Sequence, residues 1–265
     1  RRAPRAALAA ALLISAALSA KTWNDAHSWQ DDASLWARAV AYDGASANLR
    51  LNLIAALRRA GRPAQAAAHE EALTRLDPKL AGPWNNLSGL ALSQGRWTEA
   101  ERLARRALAL EPSMAAAHYN LACALQGLKR SAEAISELRL SVELNPSDSK
   151  ARNNLGLELL NQGNPLMAVL ELRRAVEAAP GWAPARYNLG NALTALGLHQ
   201  EAARAYDEAV RLDAALEEAW VNGGNAMARL GLYDDAARRY ERALALRPDD
   251  AAARKNLAAV RRARR

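Results

Sequence analysis

The chain has one cysteine, Cys123, in 265 residues, so no internal disulfide can form. It has no phenylalanine, and aromatic residues make up only 5% of it. A core built mainly on large rings is excluded, and alanine must carry most of the packing. The four histidines are His27, His69, His118 and His199. None pairs at helical spacing with another histidine or with Cys123, which leaves no basis for a metal centre of that kind. There is no glycine-rich phosphate loop, and no nucleophile has a matched base beside it. The paired acids Glu70-Glu71, Asp234-Asp235 and Asp249-Asp250 fall at turns or on outer faces, where they read as helix-terminus and solubility charges. No catalytic residue, metal or cofactor is expected in this chain. Any chemistry would belong to a part of a longer protein upstream of Arg1.

Charge of one sign is also scarce away from the ends. The net charge of +8 comes from 36 basic and 28 acidic residues. Nine of the basic residues are terminal: Arg1, Arg2 and Arg5, then Arg254, Lys255, Arg261, Arg262, Arg264 and Arg265. The stretch between holds 27 basic against 28 acidic residues. A nucleic-acid partner, which needs a basic face, is not expected. The C-terminal basic run reads as a solvated helix or, alternatively, as a phosphate- or membrane-binding tail.

What the chain does have is a period. Asparagine recurs at Asn52, Asn86, Asn120, Asn154, Asn188, Asn222 and Asn256, each step being 34 residues. A period of that length predicts helix-turn-helix units that bury their apolar faces only against neighbours. In the unit beginning at Ala81, Trp84, Leu87, Ser88 and Ala91 make one stripe at helical spacing, and Gly95 ends that helix. Ala100, Ala104 and Ala107 make the stripe of a second helix, which Pro112 follows. One alanine holds its phase in all six units: Ala66, Ala100, Ala134, Ala168, Ala202 and Ala236. Two closely crossing helices leave room there only for a small side chain. Leu73, Ser141, Ala214, Lys129 and Gly223 depart from the pattern without disturbing the period.

These offsets resemble those of the tetratricopeptide repeat (TPR) family. The resemblance implies an all-α, right-handed superhelical solenoid that acts as a protein-binding scaffold. A half repeat over 28–46 is expected to lead into six repeats at 47–80, 81–114, 115–148, 149–182, 183–216 and 217–250. A capping helix over 251–265 closes this TPR domain, read as one quasi-linear domain over 28–265.

The asparagines have a predictable direction. At 100 degrees per residue, Trp84, Leu87, Ser88 and Ala91 cluster within about 100 degrees, and Asn86 lies about 150 degrees from their centre. The ladder therefore stands on an open face, with Cys123, Asn161, Asn191 and Asn225 beside it. In TPR folds the first helices line the concave surface, and this ladder resembles the asparagine-lined groove of the O-linked N-acetylglucosamine transferase TPR region. The resemblance implies that an extended or unfolded polypeptide binds through Asn52, Asn86, Asn120, Asn154, Asn188, Asn222, Asn256, Asn161, Asn191 and Asn225. The alternative is that the asparagines only bridge adjacent units. A lysine-arginine clamp for a terminal carboxylate, as in chaperone-binding TPRs, is not expected, since Lys150 and Arg59 are isolated. His118 holds the slot of Trp84 and Trp220 and reads as a packing residue, while His69-Glu70-Glu71 reads as solvated.

Residues 1–27 read as a signal- or membrane-anchor-like segment with a connector. Fifteen residues, Ala6 to Ala20, carry no charge, fewer than the ~20 of a full membrane span. They fit a signal-peptide core, the trailing part of a membrane helix or an alanine-rich capping helix. The block with Trp23, Trp29 and Trp36 resembles the join to the TPR array in membrane O-mannosyltransferase-like proteins. That resemblance implies an alternative function, the C-terminal region of a membrane glycosyltransferase, with the array on the extracytoplasmic side; a cytoplasmic array is the other possibility. A periplasm-dependent reporter fused behind Arg265 is expected to be active in bacteria once the chain is given a start codon. Activity confined to a cytoplasmic reporter would exclude export.

Overall fold

The computed structural model describes residues 32–264, and every regular element among them is a helix. The uncharged run, Trp23 and Trp29 lie outside the described residues. No helix among those described is long and apolar enough to cross a membrane.

The chain divides into two compact units, meeting in sequence at Pro112 and Ser113. The first holds α1 (Asp32–Tyr42), α2 (Ala47–Arg59), α3 (Pro63–Leu76), α4 (Ala81–Ser93) and α5 (Trp97–Leu110). The second holds α6 (Ala115–Gly127), α7 (Ser131–Leu144), α8 (Ser149–Asn161), α9 (Pro165–Ala178) and α10 (Ala183–Ala195). It continues with α11 (His199–Leu212), α12 (Glu217–Arg229), α13 (Tyr233–Leu246) and α14 (Ala251–Ala263). Within each unit a helix packs on its sequence neighbours, as a stack of hairpins requires.

Both hairpin ends have local causes. After each first helix the chain turns through a left-handed residue: Gly61, Gly95, Gly163, Gly197 and Gly231 all have φ between 68° and 76°. The next residue's N–H bonds back five positions, as Arg62 does to Leu57 at 2.8 Å, which caps the last carbonyls. Lys129 takes the same conformation at φ 60° and carries the steric strain that glycine avoids.

The core is an alanine and leucine core. The six crossing alanines are at most 1% exposed. In the first unit Leu53, Ile54, Leu57 and Leu73 close over Ala33 and Ala66. In the second, one cluster runs from Ala122 to Ala226, and Tyr240 and Leu257 anchor another at the C-terminal end. Facing positions trade volume. A methyl group added at Gly156 would lie 2.6 Å from Leu172, one at Gly190 2.5 Å from the Tyr206 ring and one at Gly224 2.7 Å from the Tyr240 ring. In the same phase Ala122 faces Leu138. A small residue on the first helix thus permits a large one on the second.

Candidate functional site

All seven ladder asparagines lie on first helices, and helix caps set their angle. Ser46, Asp148 and Asp250 stand six residues before Asn52, Asn154 and Asn256, and their side chains accept N–H groups of the first turn. Two backbone N–H groups, that of Ala253 foremost, hold the Asp250 carboxyl below the usual carboxylate range.

A second position also fixes each first helix. Four residues after the cap stand Arg50, Trp84, His118, Arg152, Arg186, Trp220 and Arg254. Trp84 Nε1 donates to the Pro78 carbonyl at 3.2 Å, Arg152 Nε to Pro146 at 2.7 Å and Trp220 Nε1 to Ala214 at 3.1 Å. Arg50, Arg186 and Arg254 donate six residues back in the same way. The slot packs, with Trp220 against the core and His118 buried, and where it holds Trp or Arg it is also a polar latch on the turn between repeats. The sequence signal is an N–H donor recurring six residues after that turn. His118 is 9% exposed, as a packing residue, and its Nδ1 also lies 2.6 Å from Glu137 Oε2. Arg152 makes the matching pair with Glu171 at 2.7 Å.

The ladder is not an open row of free amides. Asn52 is exposed, while the other six are half-buried. Asn154 Nδ2 lies 3.4 Å from Tyr119 Oη and 3.7 Å from Cys123 Sγ. Asn188 Nδ2 donates to Asn153 Oδ1 at 2.8 Å. Asn222 Nδ2 reaches Tyr187 Oη at 3.2 Å and Asn191 Oδ1 at 3.1 Å, and Asn256 Nδ2 donates to Asn225 Oδ1 at 2.9 Å. Each bond runs to the preceding first helix, 31 or 35 residues back, so the amide nitrogen bridges repeats. The Oδ1 atoms of Asn188, Asn222 and Asn256 accept no bond from the described residues. Asn191 and Asn225 join the ladder through these bridges. Asn161 is exposed at the end of α8, apart from the network. Burial raises the Cys123 thiol, which favours its protonated form beside Tyr119 and Asn154.

The second helices reach the ladder as well. Tyr206 Oη donates to Asn191 Oδ1 at 2.8 Å, and Tyr240 Oη to Asn225 Oδ1 at 2.7 Å. Burial pushes both phenols up to about 12, so they remain donors. Glu70 holds the same phase in the first unit. It was expected to be solvated, but it is 2% exposed, with Arg58 at 2.7 Å. Burial raises its carboxyl, against the opposing charge of Arg58 and a hydrogen bond from Asn86. Its phase, shared with Leu138, Leu172, Tyr206 and Tyr240, was the signal that marked it as a core position. Glu158 stands where Ala56, Ala124, Ala192 and Ala226 stand in other repeats and is 7% exposed. It takes Gln126 Nε2 at 3.0 Å on one oxygen. Three exposed arginines pair with acids of other helices: Arg59 with Asp32 at 2.7 Å, Arg261 with Glu241 at 2.8 Å and Arg264 with Asp234 at 2.9 Å.

The sequence model of a family described as Tetratricopeptide repeat matches residues 88–149, 153–217 and 222–265. No curated protein matches the chain. Among solved structures, that of YrrB, a TPR protein with an unusual peptide-binding site, superposes with a TM-score of 0.63. It is 22% identical over 70% of this chain and 96% of that one. PilF of Pseudomonas aeruginosa gives 0.69 at 20% identity, over 82% and 98% of the two chains. MamA of Desulfovibrio magneticus RS-1 gives 0.59 at 26%, over 64% and 97%. These are likenesses of fold.

Proposed function

The chain belongs to the tetratricopeptide repeat family, and from that premise we propose that it is a protein-binding module holding an extended polypeptide along its asparagine ladder. One observation carries the reading. The ladder amides spend their nitrogens on neighbouring repeats, and the oxygens of Asn188, Asn222 and Asn256 accept no bond from any described residue. Amide oxygens held in a row by their own nitrogens are fixed acceptors. Main-chain N–H groups are donors that every non-proline residue supplies, so such a row selects for backbone and not for side-chain sequence. That YrrB carries a peptide-binding site on the same fold supports the assignment.

The energetics require several rungs. Each amide-to-backbone bond contributes about 0.5–1.5 kcal/mol net, while ordering one residue of the ligand costs about 1–2 kcal/mol. Apolar contacts beside the ladder must supply the difference. Changing Asn188, Asn222 and Asn256 together to alanine is expected to weaken capture of a permanently unfolded chain by about tenfold or more. Reduced, carboxymethylated α-lactalbumin serves as that probe, with circular dichroism as the check on folding. Unchanged affinity in a folded triple variant would leave the ladder as an inter-repeat bridge and nothing more.

A further inference from the structure

The slot four residues after each first-helix cap is balanced differently along the chain. His118, Arg152 and Arg186 each pair there with a carboxylate on the second helix of the same repeat, Glu137, Glu171 and Glu208. Trp220 carries no charge to balance, and both acid positions of its repeat hold arginine. Arg239 stands where Glu137 and Glu171 stand, and Arg242 where Glu208 does. The repeat of Trp84 makes the same exchange at one position: Arg106, in phase with Arg242, lies over the indole ring at 5.8 Å.

At Trp220 the exchange leaves a cleft of about 520 Å³ between α11 and α13 with an excess of positive charge. Buried Val210 and half-buried Trp220 are its apolar walls, and the rest are four arginines against two aspartates. Arg239 Nη2 lies 2.8 Å from both oxygens of Asp207, and Arg238 pairs with Asp235, so both acids are occupied. Arg211 on α11 and Arg242 on α13 are exposed and make no ion pair or hydrogen bond with any described residue. In the first unit a smaller cleft of about 260 Å³ lies at Trp84, with Arg75 and Arg102 in phase with Arg211 and Arg238 and three leucines on its walls. The larger cleft faces away from the ladder: Arg238 and Arg242 lie two residues either side of Tyr240, about 160 degrees around the helix from it. We propose that the α11–α13 cleft docks an acidic segment of a partner protein, with carboxylates on Arg211 and Arg242 and apolar side chains against Trp220 and Val210. The guanidinium fork matches a carboxylate. A free anion such as phosphate gains nothing from an indole and a valine, whereas a polypeptide carries acids and apolar groups together. This surface goes beyond the ladder and does not depend on it.

The test uses the full chain and fluorescence anisotropy with a labelled acidic peptide, (Glu-Glu-Leu)4, and its neutral counterpart, (Gln-Gln-Leu)4. The acidic peptide is expected to bind and the neutral one not to. Arg211→Ala/Arg242→Ala should weaken binding of the acidic peptide by about tenfold or more, because each arginine supplies a charge-assisted bond. Lys255→Ala/Arg262→Ala on α14 removes the same charge away from the cleft and should change affinity by less than about twofold, since distant exposed charges are screened. Equal losses in the two double variants would assign binding to the net charge of the chain and overturn the proposal. Binding that persists in Asn188→Ala/Asn222→Ala/Asn256→Ala is expected, and its loss there would put the acidic peptide on the ladder instead. Retention on phosphatidylserine vesicles through Arg211 and Arg242, with no binding of the peptide, would make the partner a membrane and equally overturn it.

Discussion

Replacing Tyr206 by alanine is expected to cost about 3–5 kcal/mol of folding stability. The side chain is 1% exposed and fills the space opposite Gly190. Its ring also lies 5.9 Å from that of Tyr187, tilted by 51°. Removing it leaves a cavity beside a glycine, where nothing can move in to fill it. Its hydroxyl, held by Asn191 and by Thr194 at 3.1 Å, accounts for a smaller part, about 1 kcal/mol, which Tyr206→Phe measures alone. The converse change has a distinct signature. Gly190→Ala places a methyl group 2.5 Å from the ring and should cost about 1–3 kcal/mol. Adding Tyr206→Leu to that variant should recover part of the loss, since alanine facing leucine is the arrangement at Ala122 and Leu138. Urea denaturation of the two single variants and the double closes a cycle. Strictly additive losses would show that the two positions do not share a packing site.

Glu70→Leu is expected to raise stability at pH 7, by about 1–4 kcal/mol. The carboxylate occupies a core phase that leucine fills in two other repeats, and its partner Arg58 is 44% exposed, so removing the acid strands no buried charge. The sign with pH follows from the raised carboxyl. Folding disfavours the ionised form, so the wild-type chain bears no penalty below the ordinary glutamate value of 4.5. The penalty grows as pH rises through the folded-state pKa and is constant above it. The gain from Glu70→Leu should therefore shrink on acidification towards pH 4, and Glu70→Gln should show the same trend. Thermal melts at both pH values decide the matter. A gain independent of pH would mean that packing volume, not buried charge, sets the effect.

The sequence by itself determined the repeat and the crossing alanines. A 34-residue period copies the same local chemistry into every unit, and capping, left-handed turns and helical stripes are decided within a few residues. It also placed the asparagines on the face opposite the stripe, because angular position on a helix follows from residue number alone. Only the tertiary structure decided what each amide does. The partners of Asn154, Asn188, Asn222 and Asn256 lie 31 or 35 residues away. Whether one or both of these are met depends on how one first helix is rotated and shifted against the next. Glu70, by contrast, was legible in the sequence: its side chain looks solvated from its neighbours His69 and Glu71, but its phase is that of Tyr206 and Tyr240, and it is buried. Local periodicity fixes a side chain's direction from its own helix axis; its hydrogen-bond partner is fixed by the packing of two helices.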